Sequence, residues 1–324
     1  MRATNQGQTF VITVFGCWYS QRYAIFADFL IAPGQLLPVF FVSSRMSNDS
    51  LITLGFSPCP NDTFIFEAML HGRVDTEGLR FEPVIEDVEA LNRRAFAGEL
   101  LATKLSYHAY AHLTNKYVLL DAGSALGNQC GPLLIAKRAL SEEEVNQARI
   151  AIPGAMTTAN FLLSLAYPHA TDKYEVVFSE VEQAVLQGEA DAGLIIHENR
   201  FTYAQKGLVK IMDLGDHWEN TTGMPIPLGG IVVRRDLPKE VQQKINRVLR
   251  RSVAYAFAHP EEVMPYVRAY AQEMEDAVMQ AHIQLYVTPF TENLGERGRA
   301  AVEHMFQVAQ EKGVLQKIDK DIFI

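Results

Sequence analysis

From Leu51 onward, short β-rich runs alternate with helical patterns, and this alternation restricts the chain more than any other feature. LITLGFS (51–57) reads as a strand and NDTFIFEAMLHG as a helix, with Asn61 or Asp62 as its N-cap. RFEPVIED and LLATKLS follow as strands, with the helical stretch VEALNRRAFAGE between them. The same rhythm continues through RIAIPG, TTANFLLSLAYP, YEVVFSE, VEQAVLQGE, ADAGLIIH, LVKIMDLG and GGIVVRRD. Strands separated by helices predict an α/β fold with mostly parallel sheets. The last ninety or so residues turn helical: Val241, Ile245, Val248, Leu249 and Val253 recur at the spacing of one buried helix face. With no repeat and no flexible linker, the two α/β stretches read as two lobes of one unit. Crossings near 136 and 233 divide it into lobe 1 (46–136 plus 234–324) and lobe 2 (137–233).

The first 45 residues stand apart. The apolar stretch at 23–42 is interrupted by Asp28, Pro33 and Pro38, leaving runs too short to span a bilayer. No basic cluster directly precedes an unbroken apolar core, so a signal peptide does not fit either. Met46 is read as the native start and residues 1–45 as a non-native or disordered extension. No stable membrane insertion is expected.

A net charge of −9 argues against nucleic acid as the main partner. Cys17, Cys59 and Cys130 form no CxxC pair and no disulfide framework, which suits a reducing cytoplasm. GxGxxG, GxxxxGK[ST], GxSxG and HExxH are all absent. Neither a metal nor any other cofactor is expected, nor an obligate protein partner.

Four stretches carry candidate chemistry. In SPCPNDTF (57–64), prolines flank Cys59 in a strand-to-helix loop that faces the ligand crevice of an open α/β sheet. No sequence neighbour is basic enough to activate the thiol, so Cys59 reads as a small packed residue. Lys104 is the one charge in LLATKLSY and reads either as a solvated edge-strand lysine or as a point charge for a substrate carboxylate. In PGAMTTANF, Thr157 or Thr158 can cap a helix, and the same hydroxyls and N–H groups could hold a carboxylate. His197, in LIIHENRFTY, ends a strand at the crevice and suits general base work, with Glu198 and Arg200 near enough to orient it or cap the turn.

Taken together, SPCPNDTFIF, EPVIEDVEALN, TKLSYHAYA, TTANFLLSL, GLIIHENRFTY and RRSVAYAFAHPEE resemble the 1,4-dihydroxy-6-naphthoate synthases of the futalosine route to menaquinone. The resemblance runs from about Leu51 to near the C-terminus. It implies a two-lobed fold like type II periplasmic solute-binding proteins, with the ligand between the lobes. It implies a lyase acting on cyclic dehypoxanthinyl futalosine, a small carboxylate, without a cofactor. It also implies His197 as catalytic base, with the KLS stretch (Lys104, Leu105, Ser106) and Thr157 and Thr158 binding substrate. Two rival readings share these lobes: a transporter's solute-binding protein, and the sister chorismate dehydratase of the same pathway.

Overall fold

The computed structural model describes residues 51–271 and 275–324; the reading of residues 1–45 lies outside them. The first sheet contains β1 (Leu51–Phe56), β2 (Arg80–Ile85), β3 (Ala102–Ser106), β4 (Tyr117–Leu119) and β5 (Ala125–Gly127). The second contains β6 (Leu133–Ala136), β7 (Ile150–Ile152), β8 (Lys173–Glu175), β9 (Ala192–Ile195) and β10 (Val209–Asp213). β11 (Ile226–Arg234) returns the chain to the first sheet, giving the order β2-β1-β3-β11-β4, with β5 also paired to β11. The second sheet is ordered β10-β6-β9-β7-β8.

This pairing corrects two expectations. The sheets are mixed rather than mostly parallel. β1 runs parallel to β2 and β3, and β7 to β8 and β9, but β11 and β6 pair antiparallel with their neighbours. Parallel pairing needs a long crossover connection, and the chain passes from β5 to β6 without a helix. The crossings also fall earlier than 136 and 233, since β6 already pairs in the second sheet and β11 already in the first. Extended runs that follow one another without a helix carry no signal of which sheet they join.

Helices cover both sheets. Beside the first lie α1 (Pro60–Leu70), α2 (Val88–Ala97) and α3 (Tyr107–Leu113), and beside the second α4 (Glu142–Gln147), α5 (Thr158–Ala166), α6 (Val181–Gln187), α7 (Asn199–Thr202) and α8 (Leu214–Thr222). The C-terminal run comprises α9 (Lys239–Ala258), α10 (Pro260–Tyr270), α11 (Asp276–Tyr286), α12 (Pro289–Glu292) and α13 (Gly295–Glu311). The predicted face of α9 is the one that packs: Ile245, Val248, Leu249 and Val253 are buried in a core with Ile52, Leu54, Phe64 and Ile65. Ser252, on the same helix, donates to the Ile65 carbonyl and accepts from the Met69 N–H, tying α9 to α1. No helix among the described residues is long and apolar enough to cross a membrane.

Candidate active site

Strand ends from both sheets meet around a cavity of about 80 Å³. Its walls include Ser57, Asn61 and Asp62 from the β1–α1 segment, and Lys104 and Ser106 from β3. Thr157 and Thr158 line it at the start of α5, His197 lies just beyond β9, and Gly229 contributes from β11. A side chain at Gly229 would place its Cβ 2.8 Å from the Leu105 carbonyl oxygen, so β11 can approach β3 this closely only with glycine there.

The fold thus brings together His197, Lys104, Ser106, Thr157 and Thr158. Leu105 is the exception. Alternate residues of a strand face opposite sides, and its buried side chain belongs to the core rather than the cavity lining. Lys104 is not a solvated edge lysine. It sits on an interior strand, is 6% exposed, and donates from Nζ to Asp62 Oδ1 at 2.6 Å. The Asp62 carboxylate also accepts from the Ser57 N–H, the Ser57 hydroxyl and Asn61 Nδ2. Asp62 therefore neutralises Lys104 rather than capping α1. The helix begins earlier, with Cys59 at the N-cap and Pro60 in the first turn, where a missing N–H is harmless.

Thr157 caps α5, accepting from the Asn160 N–H at 3.2 Å and donating its own proton to the Gly154 carbonyl at 2.8 Å. Thr158 donates to the Leu228 carbonyl at 2.7 Å. Both hydroxyl protons are thereby committed to the backbone. What α5 offers the cavity is its N-terminal N–H groups and the positive end of its dipole.

His197 has φ +57°, the left-handed region that few residues other than glycine adopt. The Phe178 ring meets its imidazole edge-on at 5.0 Å, and the His282 ring stacks on it at 6.1 Å and 15°. Burial lowers the pKa of His197 to about 4, so the ring is neutral at neutral pH and keeps a lone pair free. Arg200, expected to help orient it, turns away. It pairs with Asp213 at 2.8 Å and donates to the Gln129 and Gly131 carbonyls, pinning the 129–131 segment to β10.

Behind His197 lies a group that the linear sequence conceals. Asn61 presents Nδ2 to Asp62, so its Oδ1 accepts from His282 Nε2 at 2.8 Å. His282 is fully buried, and burial with the neighbouring His197 holds its pKa well below the ordinary range. The ring is therefore neutral, and Nδ1 carries the lone pair, without a hydrogen-bond partner, 3.8 Å from Glu198 Oε2. Ligand atoms of Cys59, His197 and Glu198 lie within 4.8 Å of one another. Burial, and then the Glu198 charge, raise the Cys59 pKa well above normal, so it stays a thiol, as expected of a packed residue. Sequence reasoning missed Asp62 and His282 as site residues. The first read as a possible cap and the second fell inside an ordinary amphipathic helix.

Two mixed sheets joined by two crossings around a cavity at their strand ends define a protein of periplasmic-binding-protein-like fold. Solved structures agree. The ligand-binding component of an ABC-type import system from Staphylococcus aureus superposes with TM-score 0.65 at 11% identity, covering 85% of this chain and 96% of its own. The alkanesulfonate-binding protein SsuA of Xanthomonas axonopodis pv. citri superposes with TM-score 0.62 at 12% identity, covering 82% and 94%. A crystal structure from Archaeoglobus fulgidus is nearer, with TM-score 0.79 and 40% identity over 84% of this chain and all of that one.

Residues 52–311 match the family model described as menaquinone biosynthesis, and the chain belongs to that family. It is 49% identical to the 1,4-dihydroxy-6-naphthoate synthase of Thermus thermophilus over 84% of this chain and 99% of the relative. It is 40% identical to the Streptomyces coelicolor enzyme of the same name over 85% and 98%. The chain is an enzyme of menaquinone biosynthesis.

Proposed function

We propose that the protein is a carbon–carbon lyase that converts cyclic dehypoxanthinyl futalosine to 1,4-dihydroxy-6-naphthoate, with His197 as general base. The observation that carries this reading is a neutral imidazole just beyond a strand end, lining the same cavity as the N-terminus of α5. The substrate's carboxylate sits at the first-turn N–H groups of α5, because the Thr157 and Thr158 hydroxyls already donate elsewhere. The Lys104–Asp62 pair is neutral overall; together with Ser106 it positions the substrate's hydroxyl and carbonyl oxygens.

His197 takes a proton from a hydroxyl. The electron pair released forms a carbonyl as the adjacent C–C bond breaks in a retro-aldol sense; the C–C bonding pair passes to the ring fragment as an enolate, which takes the proton back from the His197 imidazolium, and the sugar-derived portion leaves as the carbonyl compound. Loss of that portion allows the new ring to become aromatic, which supplies the driving force, and the site's exclusion of water protects the intermediate. Lyase chemistry, a cytoplasmic setting and independence of any cofactor belong to this reading.

The test is to incubate the purified protein with cyclic dehypoxanthinyl futalosine and follow dihydroxynaphthoate by chromatography. Product is expected from the unaltered chain. His197→Ala should lose at least a hundredfold in kcat, the usual scale of a general base, while still binding substrate. Near-normal turnover by that variant would remove His197 from the role. Absence of product from folded protein would redirect the reading to chorismate dehydration or to simple solute binding.

A further inference from the structure

We infer that the Ser106 hydroxyl donates a hydrogen bond to the substrate oxygen on which charge develops as the C–C bond breaks, and that Asn92, buried behind the cavity wall, is the positioning residue that holds it in that role. Asn92 lies on α2, is fully buried, and meets Ser106 at the end of β3 at two points. Its Oδ1 accepts from the Ser106 N–H at 3.1 Å, and its Nδ2 donates to Ser106 Oγ at 3.2 Å. The second Nδ2 proton goes to Glu89 Oε2 at 3.1 Å. The partners fix this orientation of the amide. A backbone N–H can only donate, so Oδ1 faces it, and the Glu89 carboxylate draws the amide nitrogen.

A serine hydroxyl has one proton and two lone pairs. Asn92 occupies a lone pair of Ser106 Oγ, so the Ser106 proton must find its acceptor elsewhere. Ser106 stands at the N-cap of α3, where a serine commonly accepts from a first-turn N–H. Here it makes no such bond, and the His108 N–H goes to Thr158 Oγ1 at 3.3 Å instead. The other serine and threonine hydroxyls of the cavity wall are committed: Ser57 donates to Asp62, Thr157 to the Gly154 carbonyl and Thr158 to the Leu228 carbonyl. Ser106, 4% exposed, donates to none of the described residues, and the space it lines is the cavity.

The assignment of the acceptor rests on the proposed lyase reaction, in which the ring fragment departs as an enolate. Enolate charge resides largely on oxygen, and a donor already in place there, in a site closed to water, favours that charge over the neutral carbonyl of the ground state. Ser106 keeps its O–H bond throughout. The charge is discharged when the enolate takes the proton back from the His197 imidazolium. Asn92 touches no substrate; it acts by supplying the hydroxyl with a donor and leaving the hydroxyl's own proton for the ligand.

The test follows dihydroxynaphthoate made from cyclic dehypoxanthinyl futalosine by the full chain. Ser106→Ala keeps the backbone N–H on Asn92, and should lower kcat about tenfold or more while KM moves by less than about threefold, because the lost bond is strongest in the transition state. Asn92→Leu should lower kcat by a similar factor. The double variant should fall within about twofold of Ser106→Ala alone, since Asn92 acts through the hydroxyl. Losses that multiply in the double variant would overturn the positioning role of Asn92. An unchanged kcat in Ser106→Ala, or a loss confined to KM, would overturn the donor role of Ser106. Crystals of the unaltered chain with dihydroxynaphthoate need no variant to fold: Ser106 Oγ should lie about 2.5–3.0 Å from a ring oxygen, with Asn92 Nδ2 still on Oγ. Contact with the carboxylate instead, or with no ligand oxygen, would also overturn it. If the unaltered chain makes no product, the lyase reading falls and this inference with it; if that chain is active and Ser106→Ala matches it, this inference falls alone.

Discussion

At the scale of single residues, the site is a set of charges and lone pairs held out of water. The Lys104–Asp62 pair is the most demanding, because both partners are buried. Removing one partner leaves the other charge without compensation. Asp62→Asn is therefore expected to destabilise the fold by about 3–5 kcal/mol, read by urea unfolding, and Asp62→Asn with Lys104→Met should recover a large part of that loss. His197 sets a second expectation. With its pKa near 4, the base stays unprotonated down to mildly acidic pH. The acid limb of kcat/KM should turn near pH 4 in brief assays, and an inflection near 6.5 would mean that the ring is better solvated than the cavity implies. Lys104, Thr157 and His197 were legible because each stands out from its local run, as a charge in an apolar strand, a hydroxyl after Pro-Gly, or an imidazole ending a strand. Asp62 and His282 were not. Asp62 finds its cation 42 residues away, and Asn61 meets His282 221 residues away. No local pattern encodes such distances.

At the scale of elements, α2 and the segment leading into α5 hold the two sheets together across the cavity. Glu89 on α2 packs against Gly154. Arg93, one turn later, pairs with Glu175 on β8. A cavity of about 80 Å³ is far below the several hundred Å³ that drug-sized ligands occupy, so substrate entry requires these contacts to part. Gly154 has φ +150°, and an added Cβ there would lie 2.5 Å from the Glu89 side chain. Gly154→Ala should therefore hold the sheets apart, raising KM about tenfold or more with a smaller change in kcat and destabilising by roughly 1–3 kcal/mol. Thr157→Ala removes the cap of α5 together with the hydroxyl's bond to the Gly154 carbonyl and should cost about 1–2 kcal/mol, seen as a fall in Tm. The element types were readable from periodicity, and the helical C-terminal region appears as expected. Sheet membership was not readable, because β5, β6 and β11 look alike as extended apolar runs, and long-range pairing alone decides among them.

For the whole molecule, buried histidines set the response to acid. Burial holds both His108 and His197 near pKa 4, below the 6.5 of an exposed ring. Between those values the unfolded chain binds more protons than the folded one, so stability rises with pH. It is complete above about pH 6.5 and is lost as pH falls towards 4, by up to about 3 kcal/mol for each ring. Urea midpoints measured from pH 7 to 4 should follow that slope, and His108→Asn should flatten it. The path of the chain has a consequence for synthesis as well. β6 to β10 lie in one continuous stretch, so the second sheet has all its strands once residue 213 is made. The first sheet must wait for β11, and until then β3 offers one bare edge whose buried residues include Ala102 and Leu105. On the ribosome the later-encoded sheet can close first, while the earlier one remains open to wrong partners for the intervening seconds.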